Sequence, residues 1–323
     1  MRFPEELAEE LGCSLRQARQ LMVWHWGGPR PELRRGLLQA APPPSLPEVI
    51  ERVEDSDGGL RFLFRLADGV RVEAVRIPLE KQGRFTVCLS SQVGCAMRCG
   101  FCATGKLGLS RNLTAAEMCG CLLAVRASLG PEQRLTGVVF MGQGEPFHNY
   151  DAVIRAARLL CHPNGGRITA KSISISTVGL VPQIHRFAQE GHKFRLVVSL
   201  TSSMQERRER VLPVAGKWTL EELAEAIRAV HLSQGRRMTV AWVLLGGVNH
   251  DAAEVEGLRR LLADVPIRLN LIDVNGDLGY RRATEQERGD FLDALQVLQV
   301  PVVRRYSVGS ESNSACGMLA ARS

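Results

Sequence analysis

Phe85-Thr86-Val87-Cys88-Leu89-Ser90-Ser91-Gln92-Val93-Gly94-Cys95-Ala96-Met97-Arg98-Cys99-Gly100-Phe101-Cys102 is the stretch on which the reading of this chain turns. Residues 85–90 are short, mostly apolar and bounded by turn formers, the pattern of a strand. Directly behind them a loop carries three cysteines at C-x3-C-x2-C spacing. Downstream, further strands are expected at 136–141, 172–177, 195–200, 238–245, 268–272 and 301–306. Helix-like segments fall between them at 114–128, 150–161, 180–190, 219–232, 251–264 and 284–298. Thr114/Glu117, Thr219/Glu222 and Thr284/Glu287 are capping boxes that open three of these helices. Strands alternating with helices imply an α/β fold with a parallel sheet, open or curled into a partial or full (β/α) barrel. In such folds active-site groups sit on loops beyond the strand C-termini.

Upstream of the cysteine loop the pattern differs. Residues 1 to about 42 read as helical, with Leu7, Leu11, Leu21 and Leu33 among many charges, and Pro42-Pro43-Pro44-Ser45-Leu46-Pro47 breaks the chain. Residues 48–80 read as short strands. Leu60–Leu66 and Val70–Val75 flank Asp68-Gly69, which predicts a hairpin. The expected division is a small accessory region of helices and hairpin at 1–80 and a barrel core at 81–323.

The chain has 323 residues, 45% of them hydrophobic, enough for a full core. Its opening, Met1-Arg2-Phe3-Pro4-Glu5-Glu6, has no apolar stretch of the secretory kind, and no apolar run is long enough for a bilayer. A cytoplasmic setting with reduced thiols and no membrane partner is therefore expected. There the nine cysteines, where clustered, read as metal ligands or catalysts. A formal net charge of +7 is compatible with a polyanionic partner without requiring one.

An iron–sulfur cube is ordinarily held by four thiolates, so three closely spaced cysteines leave one iron open to a cofactor or substrate. Structural zinc wants four ligands, and Cys88 is the candidate fourth. A zinc-stabilised RNA-binding protein without catalysis thus stands as an alternative. Cys119 and Cys121 lie inside an expected helix and read as buried small hydrophobes.

The cysteine loop, with Phe101 before its last cysteine, resembles the radical S-adenosylmethionine (SAM) signature. Within that superfamily the chain resembles the RlmN/Cfr family of RNA adenine methyltransferases from about residue 73 onward. The resemblance rests on 88–95, Arg111-Asn112-Leu113-Thr114-Ala115, Phe140–Pro146, Ser174–Pro182, Gly246-Gly247-Val248-Asn249, Leu269-Asn270-Leu271-Ile272 and Ala315-Cys316-Gly317. It implies that Cys95, Cys99 and Cys102 hold a [4Fe–4S] cluster whose open iron takes SAM. Gly144, Glu145, Ser176, Ser199, Leu200, Thr201 and Asn275 are implied SAM contacts.

An adenine ring carbon is electrophilic and does not attack SAM directly. The resemblance implies a detour: Cys316 is methylated first, its methyl carbon is joined to the ring through radical chemistry, and Glu73 accepts the ring proton. Cys88 then releases the product by forming a transient disulfide with Cys316. The implied activity is methylation at C2, in preference to C8, of rRNA and/or tRNA, with an external flavodoxin or ferredoxin as electron donor. The same chemistry on another RNA or a small aromatic molecule is the alternative. The implied role of the accessory region is RNA binding, with Trp24 or Trp26 available for stacking.

The chain departs from the family at Thr201, where His is usual, at Asp273-Val274-Asn275-Gly276-Asp277, and at Ser307–Ser314. Arg207, Arg208, Arg210, Lys217, Arg281, Arg282, Arg304 and Arg305 form charged runs, none assigned to a phosphate.

Overall fold

The computed structural model describes residues 1–276, 278–305 and 315–319, with the Arg305 side chain excluded. Asp277 and the divergent segment 307–314 lie outside the described residues. In chain order the elements are α1 (Pro4–Leu11), α2 (Leu15–His25), α3 (Arg35–Ala40), β1 (Glu48–Glu54), β2 (Leu60–Arg65), β3 (Arg71–Pro78), β4 (Arg84–Leu89), β5 (Gln92–Gly94), α4 (Ala103–Lys106), β6 (Leu109–Asn112), α5 (Ala115–Ala127), β7 (Arg134–Phe140), α6 (Tyr150–Cys161), β8 (Ile173–Thr177), α7 (Val181–Gln189), β9 (Arg195–Ser199), α8 (Gln205–Val211), α9 (Leu220–Gln234), β10 (Met238–Leu244), α10 (Ala252–Leu262), β11 (Ile267–Asp273), α11 (Glu285–Leu295) and β12 (Val302–Arg305).

Ten strands form one sheet in the order β1-β2-β3-β4-β7-β8-β9-β10-β11-β12. From β4 to β12 every pairing is parallel, as the intervening helices dictate. β1, β2 and β3 add to β4 antiparallel, with the turn at Asp68-Gly69 where the hairpin was expected. Residue 80, the expected boundary, falls between β3 and β4, which pair from Ala74↔Leu89 to Pro78↔Phe85.

The strand order has two ends, so among the described residues the sheet does not close. It is nonetheless curled: Val75 and Ile77 of β3 and Ile272 of β11, at opposite ends of the parallel array, line one cavity. This is a partial barrel. All three expected capping boxes form, each with the Thr side chain accepting from the backbone N–H of the Glu and that Glu accepting from the Thr backbone.

The N-terminal helices are packed into the same core. Leu7, Ala18, Leu21 and Met22 have no exposed surface, and Arg155 of α6 holds Glu6 of α1 at 2.6 Å. Trp26 is buried in that core, whereas Trp24 is half-buried with the Arg30 guanidinium 5.8 Å over its ring. Cys119 and Cys121 are buried inside α5, as expected of small hydrophobes. Among the described residues no helix is long and apolar enough to cross a membrane.

Candidate active site

The cysteine loop leaves the sheet through the β5–β6 hairpin. Gly94 has φ +74°, and a Cβ there would lie 1.9 Å from the Gly108 carbonyl oxygen, so only glycine fits. The Cys95 N–H donates to that same oxygen at 2.8 Å, and Gly100 N–H donates to Val211 O at 2.9 Å. The chain end docks onto the other side of the loop. Ala103 N–H donates to Gly317 O at 2.7 Å, and Thr104 Oγ1 donates to Leu319 O at 2.6 Å. Segment 315–319 is thereby fastened to the cysteine loop more than two hundred positions upstream.

Between this loop and the C-terminal ends of the parallel strands lies a cavity of about 140 Å³. Its walls include Cys95, Cys99, Cys102, Gly144, Glu145, Ser176, Ser199 and Cys316. Burial pushes the Cys95 thiol up to about 12 and lifts Cys99 well above the ordinary thiol value, the neighbouring thiols adding to both. Such thiols stay protonated at neutral pH until a metal displaces the proton. Among the described residues no three His, Cys, Asp or Glu side chains converge as the ligands of a single ion would.

Glu145 is buried on this wall, and burial raises its carboxyl to about 7. Val178 and Phe147 N–H groups, each donating at 2.9 Å, oppose that rise. Gly144 gives close approach: its φ is +99°, and a Cβ would stand 2.6 Å from Gln92 Cβ. Two buried polar atoms nearby in sequence, Gln143 Nε2 and Thr201 Oγ1, have no hydrogen-bond partner, an arrangement that is uncommon unless a ligand or water completes it. Three thiols, a carboxylate for an ammonium group and serine hydroxyls on one wall fit an iron–sulfur cluster with SAM.

A second cavity of about 420 Å³ shares Cys316, Met141, Ile272 and Leu319 with the first. Cys88 of β4 lines it, opposite Val75 of β3 in register, and packs with Val75 and Leu319. The structure thus brings Cys88 and Cys316 to one cavity from 228 positions apart in the sequence (316 minus 88).

Other expected residues are placed less directly. Glu73 is buried on the same β3 face as Val75, but its carboxylate is ion-paired to Arg61 at 2.8 Å and lines neither cavity. Leu200 and Thr201 are buried behind the wall, each N–H directed to Ala241 O. Thr201 takes φ +62°, a strained value for a β-branched residue. Asn275 donates to the Cys316 carbonyl at 3.1 Å and so touches the backbone of the cysteine segment, not the cavity wall.

Several members of the charged runs are held in ion pairs within the fold, whereas Arg210 and Lys217 are exposed. Arg207 pairs with Asp251 and Glu254, Arg281 with Glu287, and Arg282, Arg288 and Arg304 converge on Asp273. Arg208, read in the sequence only as one member of a charged run, is turned inward. It is 2% exposed, donates to the carbonyls of Val178, Ser199 and Leu200, and among the described residues pairs with no carboxylate. It ties the ends of β8 and β9 together as a buried cation whose field includes Cys99. Burial lowers it to about 10, so it stays charged at neutral pH.

This fold and this donor set define a radical SAM protein, and residues 89–259 match the Radical SAM superfamily. A radical SAM methyltransferase from Sphaerobacter thermophilus has the same fold, with a TM-score of 0.89 and 36% identity, covering 99% of this chain and 96% of that one. A protein of Anaeromyxobacter sp. (strain Fw109-5) named as a probable RNA methyltransferase is 47% identical over 98% of this chain and 96% of its own length. The dual-specificity RNA methyltransferase RlmN of Syntrophobacter fumaroxidans is 40% identical over 84% of this chain and 80% of its own. The chain belongs to the RlmN family of radical SAM RNA methyltransferases. Membership implies a [4Fe–4S] cluster and SAM as its cofactors.

Proposed function

We propose that this protein methylates a ring carbon of adenine in RNA, C2 in preference to C8, through a methylated Cys316. The observation that carries this reading is the position of Cys316, on the walls of both cavities at once. It shares one cavity with the three loop thiols and Glu145, and the other with Cys88. RNA as the substrate is supported by the relatives, which are named as RNA methyltransferases. The substrate RNA is rRNA and/or tRNA, the setting is the cytoplasm, and a flavodoxin or ferredoxin serves as electron donor.

Cys95, Cys99 and Cys102 are the ligands of the cluster, with Glu145 taking the SAM ammonium group and Ser176 and Ser199 the hydroxyl contacts. When bound, the cluster and SAM supply a methyl group and one-electron chemistry at carbon. Cys316, as thiolate, accepts the methyl group in a displacement. One methyl hydrogen leaves as an atom in that one-electron chemistry, and the methyl carbon becomes bonded to the adenine ring while still attached to Cys316 sulfur, the ring giving up its hydrogen as a proton and one electron. Glu73 is the acceptor for the ring proton, which requires that its ion pair with Arg61 open or shift. Cys88, as thiolate, then attacks Cys316 sulfur; the carbon–sulfur bond breaks with its electron pair on carbon, that carbon takes up a proton to become methyl, the methylated base leaves, and a disulfide remains. Two electrons from the donor restore both thiols before the next turnover. The larger of the two cavities, lined in part by Val75, Ile77, Val139 and Met141, offers an apolar wall to a flipped base.

The test is direct. Protein loaded with iron and sulfide without oxygen is incubated with SAM, a reductant and bulk RNA, and the RNA is digested to nucleosides for mass spectrometry. The expected product is 2-methyladenosine, absent with Cys316→Ala. Methylation of small aromatic molecules alone, with no modified nucleoside in any RNA, would overturn the reading.

A further inference from the structure

We infer that the open lower mouth of the barrel, at the N-terminal ends of β8 to β11, is the surface on which substrate RNA docks through its phosphates. The inference rests on RNA being the substrate, and adds where it binds and from which end the base enters.

Side chains two apart on a strand share a face. On β9, Val197 and Ser199 face the cavities; on β10, Ala241 and Val243; on β11, Asn270 and Ile272. Stepping back by twos along the same faces reaches Arg195, Arg237 and Arg268. Arg195 of β9, Arg268 of β11 and Arg237, one residue before β10, therefore fall on the inner-face register at the mouth, where small barrels ordinarily place apolar filling. With Lys171 and Arg236 these residues line a depression of about 410 Å³ whose walls, among the described residues, contain no Asp or Glu.

Elsewhere in the fold arginines gather on carboxylates, and Asp273 alone takes three. Among the described residues, Lys171, Arg195, Arg237 and Arg268 enter no ion pair, and all four are exposed. Unneutralised like charges gathered in a concavity repel one another and are satisfied by an anion from outside. Arginine forks suit phosphate, and five cations in one depression suit a chain of phosphates better than a single one.

The depression also leads somewhere. Lys171 and Arg195 line both it and the larger cavity that holds Cys88 and Cys316. The opposite end of the barrel is covered by the cysteine loop and segment 315–319. A base entering from the basic mouth reaches Cys316 without displacing either.

Binding of a fluorescent RNA stem-loop with adenines in its loop tests this, measured by anisotropy at 50 and 200 mM salt with the full, cluster-loaded chain. Arg195→Gln/Arg268→Gln should weaken binding by roughly tenfold or more and reduce the salt slope by about 0.7–0.9 per lost contact. Arg210→Gln/Lys217→Gln, removing two exposed charges beyond the far ends of the strands, should change affinity less than about twofold. SAM binding by the mouth variant, unchanged from the parent chain, reports that it is folded and loaded. If the mouth variant binds RNA with the parent's affinity and salt slope, the docking surface is wrong while the RNA reading stands. If the parent chain binds no RNA, both fall. If inorganic phosphate or AMP displaces RNA at micromolar concentration, the mouth is a mononucleotide site and the inference is overturned.

Discussion

Glu145 has to be ionised to hold an ammonium group, yet the fold buries it and raises its carboxyl to about 7. The folded state thus binds this proton more tightly than the unfolded chain does. Ionising Glu145 costs stability as pH rises from the ordinary carboxyl value of 4.5 towards 7, and a cation then compensates it. SAM affinity, measured by calorimetry, should accordingly rise from pH 6 to pH 8, by up to about tenfold per pH unit below 7. Glu145→Gln should bind more weakly and without that slope; an unchanged pH dependence in the variant would remove Glu145 from the site. Cys99→Ala should lose most of its iron and sulfide after anaerobic loading, whereas Cys119→Ala, altering a thiol buried within α5, should keep them. Spacing singled out Cys95, Cys99 and Cys102, and the family resemblance singled out Gly144-Glu145; all five line one cavity. The inward turn of Arg208 was not legible, because Gln205-Glu206-Arg207-Arg208-Glu209-Arg210 reads alike whether solvated or folded inward.

Asn249 is the staple between elements at the C-terminal end of β10. Its side chain donates to Thr201 O at 2.5 Å and Val243 O at 2.8 Å and accepts from Leu245 N at 2.8 Å, all within a residue 1% exposed. Asn249→Ala leaves three buried backbone groups without their partner and should cost about 3 kcal/mol or more by urea unfolding, at about 1–3 kcal/mol per stranded group. A cost under about 1 kcal/mol would mean the loop re-forms its bonds with water. The parallel strands and most of the helices between them were readable because apolar runs, capping boxes and turn residues agree at each boundary. α8 escaped because it is polar nearly throughout, and β5 and β6 because strands of three and four residues carry no period. Thr201 was legible as a departure from the family but not as a strained residue behind the wall, since φ is not written in composition.

Over the whole molecule, the N-terminal helices and the barrel share one core. Leu21→Ala, deleting a side chain with no exposure, should cost about 2–5 kcal/mol in a single unfolding transition. A separate early transition would instead make the helices an independent unit. The sequence could not show this, because the contacts join residues more than a hundred positions apart, as Glu6 and Arg155 do. It could not show the convergence of Cys88 and Cys316 either, and that convergence is the centre of the proposed chemistry. It is tested most directly by denaturing mass spectrometry of Cys88→Ala after reaction with SAM, reductant and RNA. The account predicts protein joined to RNA through one added carbon, because the thiol that breaks the link is gone, and no such species when Cys316 is also alanine. Turnover of Cys88→Ala at the parent rate with no joined species would contradict it.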